Sequence, residues 1–269
     1  MTSLRHFLLA VQFFTRIPID GRLAQWVGYS PAMLRASAAH FPGVGVLVGA
    51  MVAGATWLLF WLLPHGGTAA TFVPLVAAVL GTVVSVLMTG GFHEDGLADV
   101  ADGLGGSPDR DKALLIMKDS RVGAFGAMAL VLALLSKVAL LALIGAVSVQ
   151  LMCAAVFAGH VVSRAAPLML IRALKHVGDD VGSKSKPLAD QISLQSLFVA
   201  FLWTIFSLAL VKYILDAIYL GVPIIFSGLA LLWMGRLFWR RLQGFNGDCL
   251  GATQQVCELA FYLGLAATL

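Results

Sequence analysis

Apolar stretches of about twenty residues, broken by short charged or glycine- and proline-containing connections, run almost from end to end of this 269-residue chain. About 20 apolar residues cross the hydrocarbon core of a bilayer as a helix, and inside that core every backbone N–H and C=O must be bonded within its own segment. A chain so patterned folds as a polytopic bundle of membrane helices and leaves no room for a soluble domain of ordinary size. Composition agrees: 59% of the residues are apolar and 12% charged, with a mean hydropathy of +0.91, against roughly 45–50% and 25% in soluble domains.

The candidate spans are 43–63, 69–89, 123–145, 150–171, 196–215, 222–237 and 251–268. The count is about seven, bounded at six to eight by the short sixth run and the indistinct 212–222 connection. The apolar run Phe7 to Phe14 is too short to span and is followed by Thr15-Arg16-Ile17-Pro18 rather than a small-residue cleavage site. Leu4 to Phe14 is expected as a helix lying at the interface, within a cytoplasmic N-terminal segment 1–42. The expected fold class is an all-α integral membrane protein of about seven transmembrane helices, an N-terminal interfacial helix and a cytoplasmic acidic helical segment, in one polytopic domain over 1–269.

Connections 1–42, 90–122, 172–195 and 238–250 hold nearly all the Lys and Arg, among them Arg110, Lys112, Lys118, Arg121, Arg172, Lys175, Lys184, Lys186, Arg240 and Arg241. Those near 64–68, 146–150 and 216–222 hold none. The two classes alternate, which supports seven spans and places the N-terminus and charged loops in the cytoplasm. The net charge of +4 is scattered over these loops rather than gathered on one face, so nucleic acid is not an expected partner. Cys153, Cys249 and Cys257 lack zinc-site spacing and form no disulfide framework; they read as small packing residues.

Seven of the 14 acidic residues lie close together: Glu94, Asp95, Asp99, Asp102, Asp109, Asp111 and Asp119. Within Gly90-Gly91-Phe92-His93-Glu94-Asp95-Gly96-Leu97-Ala98-Asp99-Val100-Ala101-Asp102-Gly103, the aspartates Asp95, Asp99 and Asp102 are spaced i, i+4, i+7 and share one helical face. Like charges so placed destabilise a helix by roughly 0.2–0.5 kcal/mol per pair, so the stripe calls for a cation. Oxygen ligands without thiolates favour Mg²⁺ or Mn²⁺, and the surrounding glycines leave room for a phosphate-bearing ligand. A solvated acidic loop is the competing use of such a run. His93 suits a ligand or base, or equally a residue that caps the helix.

Lys118 and Arg121, i and i+3, stand ready to grip one phosphate together or to anchor the cytoplasmic face. Asp248, in the polar segment Gly247 to Gln255, is either an N-cap or a further oxygen ligand. Lys137, His160, Arg164 and Glu258 fall at membrane depth, where ionisable residues are costly and functional by default. Of these, Arg164 is placed to face an anionic substrate; for Lys137 and His160 a salt bridge, snorkelling or an interhelical hydrogen bond is the expected use.

The run Gly90 to Gly103 resembles the signature of the cobalamin synthase family, the adenosylcobinamide-GDP ribazoletransferases. The likeness extends to Thr15-Arg16-Ile17-Pro18, Phe41-Pro42-Gly43-Val44-Gly45, Met117 to Gly126 and Gly247 to Gln255, in order along the chain. The loop Gly178 to Pro187 matches no pattern. The resemblance implies a Mg²⁺-dependent enzyme of the bacterial inner membrane, its active-site loops in the cytoplasm. It joins adenosylcobinamide-GDP to α-ribazole or α-ribazole 5′-phosphate and releases GMP. Metal ligands are then Asp95, Asp99 and Asp102 with Glu94, and catalysis falls to these aspartates and His93. Lys118, Arg121, Arg16, Arg164 and Asp248 contact substrate. The bilayer, further copies of the chain and other cobalamin-assembly enzymes are the implied partners.

Two other readings compete. A CDP-alcohol phosphotransferase also starts its motif Asp-Gly-x-x-Ala, but carries Arg where this chain has Asp99 and continues with an aspartate spacing not reproduced here. A divalent-cation transporter would place acids at the bilayer midplane, where the spans hold only Glu258.

Overall fold

The computed structural model describes residues 2–177 and 192–269. The loop 178–187, with Lys184 and Lys186, is outside the described residues. Three short helices open the chain, α1 (Thr2–Phe14), α2 (Gly21–Val27) and α3 (Pro31–Ser37), and a 3₁₀ turn, Ala38–His40, leads into α4 (Phe41–Leu62). There follow α5 (Gly67–Ala70), α6 (Val73–Thr89), α7 (Phe92–Gly106), α8 (Arg110–Met117), α9 (Ala124–Val147) and α10 (Val149–Ala173). The last three are α11 (Leu194–Ile214), α12 (Gly221–Arg241) and α13 (Gly247–Ala266). The expected interfacial helix is α1, which turns Leu9, Ala10, Val11 and Phe14 inward and stacks Phe14 on Phe41 with ring centroids 4.1 Å apart.

Among the described residues, six helical stretches are long and apolar enough to cross a bilayer: Pro31–Leu62, Gly67–Thr89, α9, α10, α11 and α12. The protein is thus an all-α multi-pass membrane protein. The expected seventh span is α13, whose composition is less apolar for a physical reason. Its Thr253, Gln254, Gln255 and Glu258 are buried against α7, α9, α10 and α12, so this helix needs no lipid-facing apolar surface. Exposed apolar side chains such as Leu87, Leu132, Phe206 and Leu232 cover the outside of the bundle, the distribution a lipid solvent requires.

At the centre stands α10, 78% buried over its apolar window where the other five candidate spans are 17–39% buried. It packs on α4 across a Gly45-x-x-x-Gly49 pair. A Cβ on Gly49 would stand 3.0 Å from the Phe157 carbonyl oxygen, so the two backbones nearly touch. At the end of the bundle that carries α7 and α8, two arginines exchange caps. Arg241 of α12 donates to the Leu104 and Ser107 carbonyls at the end of α7 (3.1 and 2.7 Å), and Arg110 of α8 donates to the Leu242 carbonyl that ends α12 (2.8 Å). Helix C-termini leave carbonyls without intrahelical partners, and arginine satisfies them with charge of the favoured sign. These residues, read from sequence as topology markers, tie three helix ends together.

Candidate active site

Gly90 and Gly91 both adopt left-handed backbone, with φ of 68° and 70°, and reverse the chain from α6 into α7. Only glycine takes this conformation without steric cost at two successive positions. The Arg16 side chain lies across Gly90 and would collide with any Cβ there, while the Arg16 backbone N–H donates to the Met88 carbonyl at 2.6 Å. The result is a cavity of about 570 Å³ whose lining includes Arg16, Glu94 and Asp95 together with Phe13, Phe92 and Leu130.

On the other side of α7, Gly96 meets Gly251 of α13. A Cβ on Gly96 would fall 2.8 Å from the Asp248 carbonyl oxygen, and one on Gly251 would fall 3.2 Å from that of His93. This close crossing sets Asp248 beside Asp95 and Asp99. Burial, and then the charges of Asp248, Asp95 and Asp102, push the Asp99 carboxyl up to about 7. Asn246, not Asp248, caps α13: its Oδ1 accepts from the Cys249 N–H at 3.0 Å, and its amide donates to Asp248 Oδ2 at 2.9 Å. Among the described residues no three His, Cys, Asp or Glu side chains converge as a complete metal-ligand group. Asp95, Asp99 and Asp248 are close enough for their charges to act on one another.

The one-face stripe splits into three environments. Asp95 is exposed and Asp99 half-buried, whereas Asp102 is buried and accepts from the backbone N–H groups of Gly123 (2.7 Å) and Gly126 (2.8 Å) at the start of α9. Each of its oxygens accepts an N–H from a helix N-terminus, so Asp102, expected as a metal ligand and catalytic residue, fastens α7 to α9. Glu94, also expected at the metal, is 7% exposed and takes a hydrogen bond on Oε1 from the Gln255 amide at 3.1 Å. His93 departs from the expected role of base. It is 1% exposed, stacks on Phe41 at 5.8 Å and is held well below the usual histidine range by burial and then by the Arg164 charge.

The expected phosphate grip is not assembled. The Arg121 guanidinium forks onto Asp119, Nη2 to Oδ2 at 2.6 Å and Nε to Oδ1 at 2.9 Å, with its side chain 87% exposed, and Lys118 is an exposed residue at the end of α8. Among the described residues, the cation lining the cavity is Arg16. Arg164 lies inside the bundle: its Nη1 donates to His160 Nδ1 at 2.8 Å and to the His160 carbonyl at 3.0 Å, and Phe41 covers its guanidinium. Spacing along a helix says which way a side chain leaves the axis, not which neighbour receives it.

Lys137 pairs with Glu258 at 2.7 Å, the salt bridge expected for it. Gln254 and Gln255, at the end of the polar segment Gly247 to Gln255, connect Glu258 to Glu94. The available signal was four hydrogen-bonding residues, Gln254, Gln255, Glu258 and Tyr262, on one helix at membrane depth.

The model of the family described as cobalamin-5-phosphate synthase matches residues 6–266. A protein of Polaromonas sp. (strain JS666) named adenosylcobinamide-GDP ribazoletransferase is 66% identical, over 98% of this chain and 97% of its own length. Proteins of the same name from Albidiferax ferrireducens and Leptothrix cholodnii are 63% and 45% identical, covering 99% and 98% of this chain and 99% and 95% of theirs. No solved structure matches. With a family model matched over nearly its whole length and relatives this similar along all of theirs, the chain belongs to the cobalamin-5-phosphate synthase family.

Proposed function

We propose that the protein joins adenosylcobinamide-GDP to α-ribazole, or to its 5′-phosphate, releasing GMP, the last assembly step of the nucleotide loop, and that the cavity between α1, α6 and α7 is where this happens. The observation that supports the site is the meeting, in a chain of this family, of Arg16, Glu94 and Asp95 around one space whose lining mixes polar and apolar residues, with Asp99 and Asp248 close enough to Asp95 for their charges to act on one another. A corrinoid nucleotide is an amphiphile of the same kind. Its phosphates go to Arg16, and Phe13 and Phe92 take apolar surface.

Asp99 is pushed towards its protonated form by burial and then by the like charges of Asp248, Asp95 and Asp102. Mg²⁺ commonly uses one or two carboxylates and completes its shell with water and substrate phosphate, which an incomplete carboxylate set of this kind suits. Asp95 and Asp99, with Asp248, would hold it, and it would neutralise pyrophosphate charge. Arg16 binds a remaining phosphate oxygen by charge-assisted hydrogen bonds. Buried Glu94 and the aromatic wall exclude water that would otherwise compete with the α-ribazole hydroxyl for phosphorus. The carboxylates face the cytoplasm of a bacterial inner membrane, the side on which the basic loops lie.

Purified protein in detergent, given adenosylcobinamide-GDP, α-ribazole and Mg²⁺, is expected to yield the joined corrinoid and GMP. Absence of GMP release from folded protein would sink the assignment. Asp95→Asn or Asp99→Asn is expected to lower turnover by about 100- to 1,000-fold while leaving the thermal midpoint near that of the unsubstituted protein. Full turnover in both variants would remove the cavity from consideration.

A further inference from the structure

A run of buried hydrogen bonds leads from the cavity into the membrane core. The Gln255 amide donates to Glu94 Oε1 at 3.1 Å and to Gln254 Oε1 at 2.9 Å. The Gln254 amide in turn donates to Ser163 Oγ at 2.9 Å and Glu258 Oε2 at 2.7 Å. Glu258 Oε1 accepts from the Tyr262 hydroxyl at 2.7 Å and lies 2.7 Å from Lys137 Nζ. All seven side chains are buried.

A side-chain amide carries two N–H donors, and here both of Gln255's and both of Gln254's are used. Neither amide turns over without breaking two bonds, so Gln255 presents N–H to Glu94 and not its carbonyl. The far end is anchored as firmly, since Glu258 is held by an ion pair and a tyrosine. Glu94 lines the cavity, and its Oε2 is a buried oxygen without a hydrogen-bond partner. Buried carboxylate oxygens are bonded as a rule; one left over beside a binding cavity calls for a donor from what binds there.

We propose that Gln255 is a positioning residue for the transfer: by holding Glu94 through Oε1 it directs Oε2 to accept a hydrogen bond from the incoming α-ribazole hydroxyl and so orients that oxygen. This rests on the reading of the cavity as the transfer site. The chain of amides explains why a membrane helix carries adjacent glutamines at all. Leucines would fill the same space, but they would leave Glu94 Oε1 unsatisfied and its carboxylate free to rotate.

Gln255→Met keeps the side chain's length and removes its donors. Purified in detergent and compared at equal folded fraction, this variant is expected to lose about 10- to 100-fold in kcat/KM for α-ribazole. KM for adenosylcobinamide-GDP should stay within about twofold of the parent value. In a Glu94→Gln background the same substitution is expected to have no further effect, because the residue acts through Glu94. Losses that multiply in the double variant, or kcat/KM per folded molecule within about twofold of the parent, would overturn the proposal and leave Gln255 a packing residue. Should Gln255→Met not fold, the same two measurements on Gln254→Met decide the matter. Loss of turnover in Asp95→Asn with none in Gln255→Met defeats this inference alone, whereas activity retained in Asp95→Asn and Asp99→Asn defeats the site on which it stands.

Discussion

Between α9, α10 and α13 two bases, Lys137 and Arg164, and the acid Glu258 are sealed from solvent with Glu94 at the edge of the group, so formal charges cancel. A few residues further along α7, Asp95, Asp99 and Asp248 stand together at the protein's surface end, and Arg16 is the cation of the adjoining cavity. In low dielectric an unbalanced charge is untenable, and evolution has left none there. At the cavity the imbalance is left open, as the proposed binding of substrate and a cation there would require. The two regions show that the same residue types report stability where their charges close and binding where they do not.

The contrast breaks most visibly at Glu258. Glu258→Ala leaves Lys137 buried without its carboxylate and is expected to cost about 3–5 kcal/mol, whereas Glu258→Gln combined with Lys137→Met should recover most of it. Thermal unfolding in detergent reads both, and a single-variant loss below about 1 kcal/mol would mean that the pair is not sealed. Asp102 tests the boundary between the regions. Asp102→Ala should cost about 1–3 kcal/mol through two lost charge-assisted bonds to the start of α9, with turnover falling only as far as folding does. A normal melting curve with abolished turnover would instead restore Asp102 to the ligand set. A further test lies at Asp99. A carboxyl raised in the folded state to about 7 from its ordinary 3.8 loses stability as pH rises between those values and changes no further above them. In chelator-treated protein the thermal midpoint should therefore drift down from pH 4 to 7. Asp99→Asn should flatten that drift, and Mg²⁺ should oppose it; an unchanged slope in the variant would place its origin elsewhere.

Much of the fold was legible because hydropathy is a local property: each of the seven expected spans coincides with a helix, and Leu4 to Phe14 with α1. The acidic face of α7 was legible for the same reason, since helical period alone aligns Asp95, Asp99 and Asp102. Their division of labour was not. Asp102 is claimed by Gly123 and Gly126 across a loop, Glu94 by Gln255 from 161 residues away, and Asp248 arrives only because Gly96 and Gly251 allow two backbones to meet. The setting of Arg164 and His93 was hidden likewise, as membrane depth and motif position do not reveal that Phe41 packs on both. Arg121 was spent on Asp119, two residues away, a local pairing that its sequence neighbourhood offered all along.

The polar stripe of α13 also bears on how the protein is made. An inserting helix is sorted into lipid by its own apolarity, and Gln254, Gln255 and Glu258 weigh against that sorting. Their partners Ser163, Lys137 and Glu94 reside on α10, α9 and α7, all of which leave the ribosome before α13 does. Docking against a bundle already in place would offset that cost through the same contacts that join the cavity to the core.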